Sequence, residues 1–256
     1  MVQILGEKIS ASAAGVIMNA GTIETRLEQN GIPFRPELPG KLDMYFRLLQ
    51  AWNGHMDLTA VTDEDEALDR HFIDSLTVLK TGLITEESTL IDIGTGAGFP
   101  GMVLALACPD NHFTLMDSQK KRLLFLEEVA RETETDNITI MHSRAEDGAR
   151  KRELREQFDY AVARALAPVN VLCEYLLPYV KVGGSALCWK GPAVNNELES
   201  GRKAAHLLGG RLEMPAACPV YGRNWEHLIL PVRKIQHTAS AYPRKAGTPK
   251  QKPLGV

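Results

Sequence analysis

The sequence predicts an α/β fold in which a doubly wound, mostly parallel sheet follows an N-terminal helical extension. Three observations carry this prediction. From residue 89 onwards short apolar segments alternate with amphipathic ones, a glycine-rich loop follows the first of them, and two helical stripes precede it. Such alternation of strands and helices is typical of a parallel sheet covered on both faces.

Residues 1–37 are expected to be a variable, weakly ordered segment, because it ends in closely spaced prolines that oppose a continuous helix. Residues 38–85 are expected to form a helical cap with one helix beginning near Lys41 and another from Glu64 to Thr81. In both, apolar residues recur at three- and four-residue steps. These residues are Leu42, Tyr45, Phe46, Leu49 and Trp52 in the first helix and Leu68, Phe72, Leu76 and Leu79 in the second.

Residues 86–235 are expected to form the sheet domain, and residues 236–256 a basic tail. Parallel strands are predicted at residues 90–93, 112–116, 138–141, 159–163 and 185–189. Helices are predicted at residues 101–107, 120–132, 170–180 and 197–208. Two further strands, at residues 212–215 and 227–232, would complete a seven-stranded sheet in the antiparallel direction.

The composition indicates an ordinary folded protein, with 44% hydrophobic and 24% charged residues and no apolar run long enough to span a bilayer. The four cysteines are far apart and form no CxxC pair, so we expect neither a metal site nor disulfides, and we expect a reducing, cytoplasmic environment. The net charge of −3 gives no general attraction to nucleic acid. Nothing in the sequence demands an oligomer, and a monomer is expected.

The loop Gly94-Thr-Gly96-Ala-Gly98 follows the first predicted strand. Glycine tolerates positive φ and lets backbone N–H groups approach a ligand where a Cβ would clash. In open α/β sheets the ligand lies beyond the carboxyl ends of the strands, where this loop falls. Asp117 ends the second strand, and its carboxylate could accept hydrogen bonds from both hydroxyls of a ribose. The alternative is a tight turn with Asp117 capping the next helix.

Two nucleoside cofactors fit this arrangement in principle. A dinucleotide site places a third glycine three positions after the second. Phe99 stands there, followed by Pro100, and this leaves little room for a pyrophosphate. The acidic Asp92 before the loop also suits a cationic cofactor better. The residues therefore favour S-adenosylmethionine over NAD.

The loop, extended to Asp92-Ile-Gly-Thr-Gly-Ala-Gly-Phe-Pro-Gly101, resembles that of the bacterial RsmG (GidB) methyltransferases, and the resemblance covers about residues 38–254. It rests also on the following strings: Trp52-Asn53, Asp57-Leu-Thr-Ala-Val61, His71-Phe-Ile-Asp-Ser-Leu76, Met116-Asp-Ser118, Lys121-Arg122, Ser143-Arg-Ala-Glu146, Ala163-Arg-Ala165, Trp189-Lys-Gly191 and Tyr242-Pro-Arg-Lys-Ala-Gly-Thr-Pro249. The resemblance implies a sheet of the class I methyltransferase type. It also implies methyl transfer from S-adenosylmethionine to N7 of guanosine 527, in the 530 loop of 16S rRNA.

The resemblance further implies cofactor contacts at Gly94, Phe99, Ala145, Glu146 and Arg164. From the residues alone, Glu146 could instead be an acid at a helix N-terminus. Arg164 could likewise form a surface ion pair. Gly96, Gly98 and Asp117 complete the predicted cofactor site.

No catalytic base is predicted, because guanine N7 carries a lone pair and no proton that must leave first. The chain after the fourth strand reads Ala163-Arg-Ala-Leu-Ala-Pro168, without the Asn-Pro-Pro-Tyr type of string that serves exocyclic amines. Arg164 is therefore a candidate for positioning, as a clamp on phosphate or cofactor carboxylate or as a donor to guanine O6.

Contacts with RNA are predicted at Lys190, Arg223, Arg244 and Lys245. Lys190 ends the fifth strand on the same rim as the loop. Arg223 lies between two aromatic residues, Tyr221 and Trp225, in a stacking-plus-phosphate combination, for which the alternative is a solvated loop with a core tryptophan. The tail is spaced by Pro and Gly and is expected to be extended and available for phosphates, or else a disordered terminus.

His71 and Asp74 are too isolated for a metal site. A helix-capping or inter-domain hydrogen bond is favoured for them over a place in the substrate pocket. Two other functions stay open: a methyltransferase acting on another RNA or a small molecule, and a ribosome-binding factor that uses the cofactor only structurally.

Overall fold

A computed structural model describes residues 20–61 and 63–256 of the chain, which form a sheet with helices on both faces. The strands are β1 Thr89–Ile93, β2 His112–Asp117, β3 Ile138–His142, β4 Phe158–Arg164, β5 Val180–Lys190, β6 Gly210–Leu212, β7 Ala216–Ala217 and β8 Leu228–Lys234. The helices are α1 Ala20–Gln29, α2 Leu38–Met56, α3 at residues 64–76, α4 Gly101–Ala107, α5 Lys120–Glu132, α6 Ala145–Gly148, α7 Val169–Leu176, α8 Leu198–Leu207 and α9 Thr248–Gln251. Short 3₁₀ turns cover Thr77–Thr81, Leu177–Tyr179 and Pro192–Glu197.

The sheet has the order β3-β2-β1-β4-β5-β8-β6, and the described residues form eight strands because the strand predicted near 212–215 is two short ones, β6 and β7. Strands β1 to β5 are parallel, and β8 is antiparallel to β5, as the sequence predicted. The reversal in order beside β1 creates the switch point at which ligands bind in such sheets.

Successive residues of each strand point to opposite faces of the sheet, and each face has its own core. Leu90 and Val162 belong to the core shared with α1 to α5, whereas Ile91 and Ala161 belong to the core shared with α7 and α8. The apolar strands are buried on both faces, which is the reason that they read as nearly continuous apolar runs.

The expectation that residues 1–37 are weakly ordered is wrong for helix α1. Ile23 and Leu27, four residues apart, are fully buried in the core against α2, and the prolines lie beyond the end of the helix. Residues 1–19 lie outside the described part of the chain.

Helix α3 changes its winding along its length. It consists of Glu64–Ala67, a π-helical segment Leu68–Ile73, and Asp74–Leu76. Asp63 caps its start by accepting a hydrogen bond from the backbone N–H of Glu66 at 2.8 Å. A π-helical segment within a helix is frequently found at functional sites, and this one carries His71.

The tail is not extended, contrary to the expectation from its Pro and Gly spacing. The guanidinium of Arg155 donates to the carbonyl oxygens of Thr238 (2.7 Å) and Tyr242 (2.9 Å), and Arg150 donates to that of Pro243 (2.5 Å). These long-range bonds fold residues 238–243 back onto the loop after α6, where sequence spacing gives no signal. None of the helices in the described ranges is long and apolar enough to cross a membrane.

Candidate active site

The carboxyl ends of the parallel strands meet at one edge of the sheet. β1 runs into residues Gly94–Gly98, which we call the glycine loop, while β2 ends at Asp117, β4 at Arg164 and β5 at Lys190. Because β8 is antiparallel to β5, it begins at this edge and brings His227, the residue before it, to the same place. Residues from five strands therefore converge there.

The three glycines of the glycine loop all have positive φ, at 71°, 60° and 97°, but different surroundings. A Cβ on Gly98 would meet the Cβ of Met102 at 2.7 Å, so this glycine lets the loop pack against α4. A Cβ on Gly94 would meet the side chain of Leu166 at 2.9 Å. At Gly96 the nearest atom would be 3.8 Å away, so this is the open side of the loop.

The backbone N–H groups of the three glycines in the glycine loop all donate within the chain. That of Gly94 donates to the carbonyl oxygen of Met116 (2.9 Å), and that of Gly96 to Oδ2 of Asp117 (2.9 Å). The N–H of Gly98 donates within the loop, to Thr95 at 2.8 Å. The loop is closed onto β2, and it offers a ligand close approach to its backbone.

Asp117 accepts hydrogen bonds from two backbone N–H groups and keeps acceptor positions for a ligand. Its Oδ1 accepts the backbone N–H of Gln119 (2.7 Å), the residue before α5, and its Oδ2 accepts that of Gly96. An ionised carboxylate has about four acceptor positions, so Asp117 can still accept hydrogen bonds from ligand hydroxyls.

Asp92 contains a buried acceptor without a donor. Its Oδ2 accepts the hydroxyl of Thr95 (2.7 Å) and the backbone N–H of Gly101 (2.9 Å), whereas its Oδ1 has no partner in the described ranges. Burial raises the pKa of Asp92 to about 6. Because buried polar atoms are normally paired, the orphaned oxygen calls for a donor, and a cationic ligand supplies one.

Ala145 and Glu146 begin α6, directly after β3, and both are held by other parts of the chain. The carbonyl oxygen of Ala145 accepts the hydroxyl of Tyr179 (2.6 Å). Oε1 of the buried Glu146 accepts the backbone N–H of Gly247 (2.7 Å). Acids thus stand at the carboxyl ends of the first three strands: Asp92 near the end of β1, Asp117 at the end of β2 and Glu146 after β3.

Phe99 joins the glycine loop to the helical cap. Its ring lies parallel to those of Tyr45 in α2 and His71 in α3, with centroids 5.6 Å and 4.6 Å away. The guanidinium carbon of Arg164 lies 5.2 Å from the centre of the Phe99 ring. The hydroxyl of Tyr45 donates to the carbonyl oxygen of Ala97 within the loop.

A pocket of about 430 Å³ opens between α3 and the ends of β4 and β5. It is lined by Val61, Arg70, His71, Asp74, Arg164, Ala165, Ala167, Trp189, Lys190, Gly191 and His227. We call it the edge pocket. His71 and Asp74 line this pocket, and Asp74 also forms the inter-domain hydrogen bond that the sequence favoured.

Asp74 organises the edge pocket. Its Oδ2 accepts Nη1 of Arg164 (3.0 Å), its Oδ1 lies 2.7 Å from Nδ1 of His227, and its carbonyl oxygen accepts the indole N–H of Trp189 (3.3 Å). Because an ionised carboxylate only accepts, Nδ1 of His227 carries the proton. Arg164 donates also to the carbonyl oxygen of Arg70 (2.7 Å), so its position is fixed from two sides.

His71 is uncharged at neutral pH. Burial, reinforced by the positive charge of Arg164, lowers its pKa to about 4. Its Nε2 lies 2.7 Å from the hydroxyl of Thr59, which fixes the ring against Phe99.

Two of the four predicted RNA contacts are at the edge pocket or beside it. Lys190 lines the pocket and forms an ion pair with Glu197 (2.7 Å). Arg223 lies 5.4 Å from the ring centre of Trp225 and forms an ion pair with the buried Asp69 at 2.5 Å. Trp225 in turn stacks on His227.

The other two predicted RNA contacts lie in the tail and differ in their surroundings. The guanidinium of Arg244 forms a forked ion pair with the fully buried Glu174 (2.6 Å and 3.0 Å) and is not free for phosphates. Lys245, the next residue, is exposed.

The described residues contain no cluster of three metal-ligating side chains. Sequence reasoning missed His227, which belongs to no motif. The predicted antiparallel strand at 227–232 could have indicated it, since its first residue had to fall at the carboxyl edge of the sheet.

The chain is similar to a family of known proteins over most of its length. Residues 39–224 match the family described as "GidB: rRNA small subunit methyltransferase G". Ribosomal RNA small subunit methyltransferase G of Alkaliphilus oremlandii is 44% identical over 84% of this chain and 90% of its own. That of Clostridium perfringens strain SM101 is 42% identical over 88% and 94%.

Among solved structures, a SAM-dependent methyltransferase from Aquifex aeolicus shares the fold. It has a TM-score of 0.50 and 20% identity, and the match covers 66% of this chain and 94% of that one.

Proposed function

The chain belongs to the family of rRNA small subunit methyltransferase G, and on this premise we propose that it methylates N7 of guanosine 527 in the 530 loop of 16S rRNA. Family membership makes the protein a methyltransferase that uses S-adenosylmethionine and acts on small-subunit ribosomal RNA. The modified atom, the nucleotide and the residues that hold it are the proposal.

The residues at the sheet edge suit S-adenosylmethionine. When bound, it supplies a methyl group on a positively charged sulfur. The orphaned oxygen of Asp92 and the free acceptor positions of Asp117 and Glu146 match a cofactor whose ammonium, ribose hydroxyls and adenine amine are all donors. A pyrophosphate would instead meet three acids and a loop whose glycine N–H groups already donate within the chain.

The edge pocket is the observation that carries the proposed substrate site. Its volume of about 430 Å³ falls within the range of roughly 300–1,000 Å³ typical of ligand pockets. The pocket opens beside His71, whose ring stacks on Phe99 at the end of the glycine loop. N7 lies on the Hoogsteen edge of guanine, and an enzyme reaches it in a base that is splayed from its stack. We assign the pocket to that base.

The charges around the edge pocket suit attack by N7. Methylation leaves a positive charge on the purine, so cations beside the ring would oppose it. His71 is neutral, and Asp74 balances the charge of Arg164. The chain needs no base for this reaction, and its contribution is to hold N7 in line with the methyl group.

Lys190, Arg223 and Lys245 are proposed to contact the RNA backbone. Lys190 and Arg223 are held by carboxylates and border the pocket, and Lys245 is exposed. Arg244 is left out of this set because it does not border the pocket and its guanidinium makes three hydrogen bonds to Glu174.

We also propose that the protein acts as a cytoplasmic monomer. Four cysteines without disulfides and a ribosomal substrate support the compartment. Mass photometry at nanomolar concentration tests the monomer, and a dimer peak contradicts it.

The test of the function is a methyl transfer assay with mapping. Purified protein is incubated with labelled S-adenosylmethionine and small subunits from a strain that lacks the modification. Strand cleavage specific for N7-methylguanosine should then stop reverse transcription at guanosine 527 only. Label elsewhere in 16S rRNA, or none in it, would refute the proposed target.

A further inference from the structure

The C-terminal tail reaches the edge of the sheet where the cofactor is proposed to bind. Hydrogen bonds fix the tail there, whereas a tail that binds nucleic acid needs side chains that are free to contact phosphates. Glu146 accepts the backbone N–H of Gly247 at 2.7 Å, although the two residues are 101 positions apart in the chain. Gly247 has φ of 84° and precedes the short helix α9. The tail thus contacts a side chain expected at the cofactor.

Arg244 fixes the tail three residues before this contact. Its guanidinium donates to both carboxylate oxygens of Glu174, at 2.6 Å from Nη2 to Oε2 and 3.0 Å from Nε to Oε1, and its backbone N–H donates to Oε1 at 2.8 Å. Glu174 is fully buried in α7. A forked, charge-assisted pair of this kind sets orientation as well as distance.

Further bonds hold the tail on either side of Arg244. Arg150 donates to the carbonyl oxygen of Pro243 at 2.5 Å, and Asn170 donates to that of Leu254 at 2.9 Å. Arg150 follows α6 closely, and α6 begins with Ala145 and Glu146. The tail and α6 therefore brace each other.

One oxygen of Glu146 remains for a ligand. Oε1 accepts the backbone N–H of Gly247, and Oε2 accepts no hydrogen bond in the described part of the chain. A carboxylate whose one oxygen is fixed by a backbone donor presents the other in a defined direction. Without the tail, Glu146 would lose this fixed donor and gain rotamer freedom.

We propose that Arg244 is a positioning residue for cofactor binding, which acts by holding Gly247 against Glu146. This inference rests on the proposed assignment of Glu146 to the S-adenosylmethionine site. It replaces the expected role of Arg244 in binding RNA phosphates.

The test is a double-mutant cycle on cofactor affinity, measured by calorimetry with S-adenosylmethionine in the absence of RNA. Arg244→Ala should weaken binding about tenfold, within the usual size of coupling between sites. Because Arg244 acts through Glu146, the Arg244→Ala/Glu146→Ala double variant should bind no more weakly than Glu146→Ala alone. Lys250→Ala is the matched control, since Lys250 is exposed in the same tail and forms no ion pair in the described ranges, and it should bind as wild type.

Unchanged affinity of Arg244→Ala, or additive losses in the double variant, would overturn the proposal. Arg244→Lys keeps the positive charge but cannot donate to both oxygens of Glu174 as the guanidinium does. This variant replaces Arg244→Ala in the test if the alanine variant does not unfold cooperatively. It should show intermediate affinity and faster hydrogen exchange at the Gly247 amide, and wild-type values of both would overturn the proposal too. Wild-type protein that does not bind S-adenosylmethionine would refute the proposed function instead.

Discussion

At the scale of single residues, the glycine loop and the acids around it decide what the site can hold. The sequence identified the glycines, but not their separate surroundings, because these depend on α4 and on the loop after β4. Gly98 serves packing, Gly94 lies against Leu166 of the loop after β4, and Gly96 has open space beside it.

Gly94→Ala should weaken binding of S-adenosylmethionine at least about tenfold while the protein stays folded. Its Cβ would meet Leu166 at 2.9 Å and push the loop after β4. Gly183→Ala is the control, since Gly183 has φ of 94° but no atom within 4 Å of the added Cβ. Both variants should lose about 1 kcal/mol of stability from backbone strain, and only the first should lose affinity in calorimetry. Equal affinities would show that Gly94 is not at the cofactor site.

Asp92 should make the stability of the cofactor-free protein depend on pH in an unusual direction. Burial raises its pKa from 3.8 to about 6 in the folded state, so the folded form binds the proton more tightly than the unfolded form. The wild type should therefore gain about 2 kcal/mol of unfolding free energy relative to Asp92→Asn as pH falls from about 7 to about 4. This gain is lost again as pH rises through 6.

Urea denaturation at several pH values measures this difference. Asp159→Asn is the control. Burial raises the pKa of Asp159, but hydrogen bonds from Thr89 and Lys181 outweigh it and lower the pKa. The stability difference between wild type and Asp159→Asn should therefore shrink, not grow, as pH falls. A difference between wild type and Asp92→Asn that does not vary with pH would contradict the predicted burial of an ionised Asp92.

At the scale of elements, the sequence predicted most strands and helices because their apolar residues follow the strand or helix period. Helices α4 and α5 begin and end where predicted. Helix α1 was missed because only Ile23 and Leu27 make up its buried face. The start of β5 was also missed, because the adjacent Gly183 and Gly184 are typical of a turn.

Helix α1 should contribute strongly to stability despite its position near the N-terminus. Leu27→Ala removes a fully buried side chain and should cost about 3 kcal/mol in chemical denaturation. Glu24→Ala, on the exposed face of the same helix, should change stability by less than about 0.5 kcal/mol. Similar small losses of stability for both substitutions would contradict a packed helix α1 and would favour the weakly ordered segment expected from the sequence.

At the scale of the whole molecule, the site joins parts of the chain that are far apart in sequence. The glycine loop and its acids could be predicted, because a single strand–loop–helix unit contains most of their signal. The edge pocket could not, because it combines Asp74 of α3, Arg164 of β4 and His227 before β8. The tail likewise depends on Arg155 and Glu174, which have no pattern in common with it.

On the proposed assignment, the cofactor binds at the glycine loop and the target base binds at the edge pocket. Asp74 lines the edge pocket and reaches the glycine loop only through Arg164, which the carbonyl oxygen of Arg70 also holds. Asp74→Asn keeps the shape of the side chain but removes the negative charge that balances Arg164, and its amide nitrogen can pair with Nδ1 of His227 only if the imidazole proton moves to Nε2. Asp159→Asn removes a carboxylate charge from the opposite end of β4, and it serves as the control.

The most direct measurement compares, for Asp74→Asn, the single-turnover rate of methyl transfer to unmodified small subunits with the affinity for S-adenosylmethionine. Loss of hydrogen bonds to a buried charged group costs roughly 1.5–3 kcal/mol, which predicts a rate about 10 to 100 times slower. Cofactor affinity should stay within about twofold of that of wild type and of Asp159→Asn. Methyl transfer at the wild-type rate, or an equal loss of cofactor affinity, would contradict the assignment of the edge pocket to the target base.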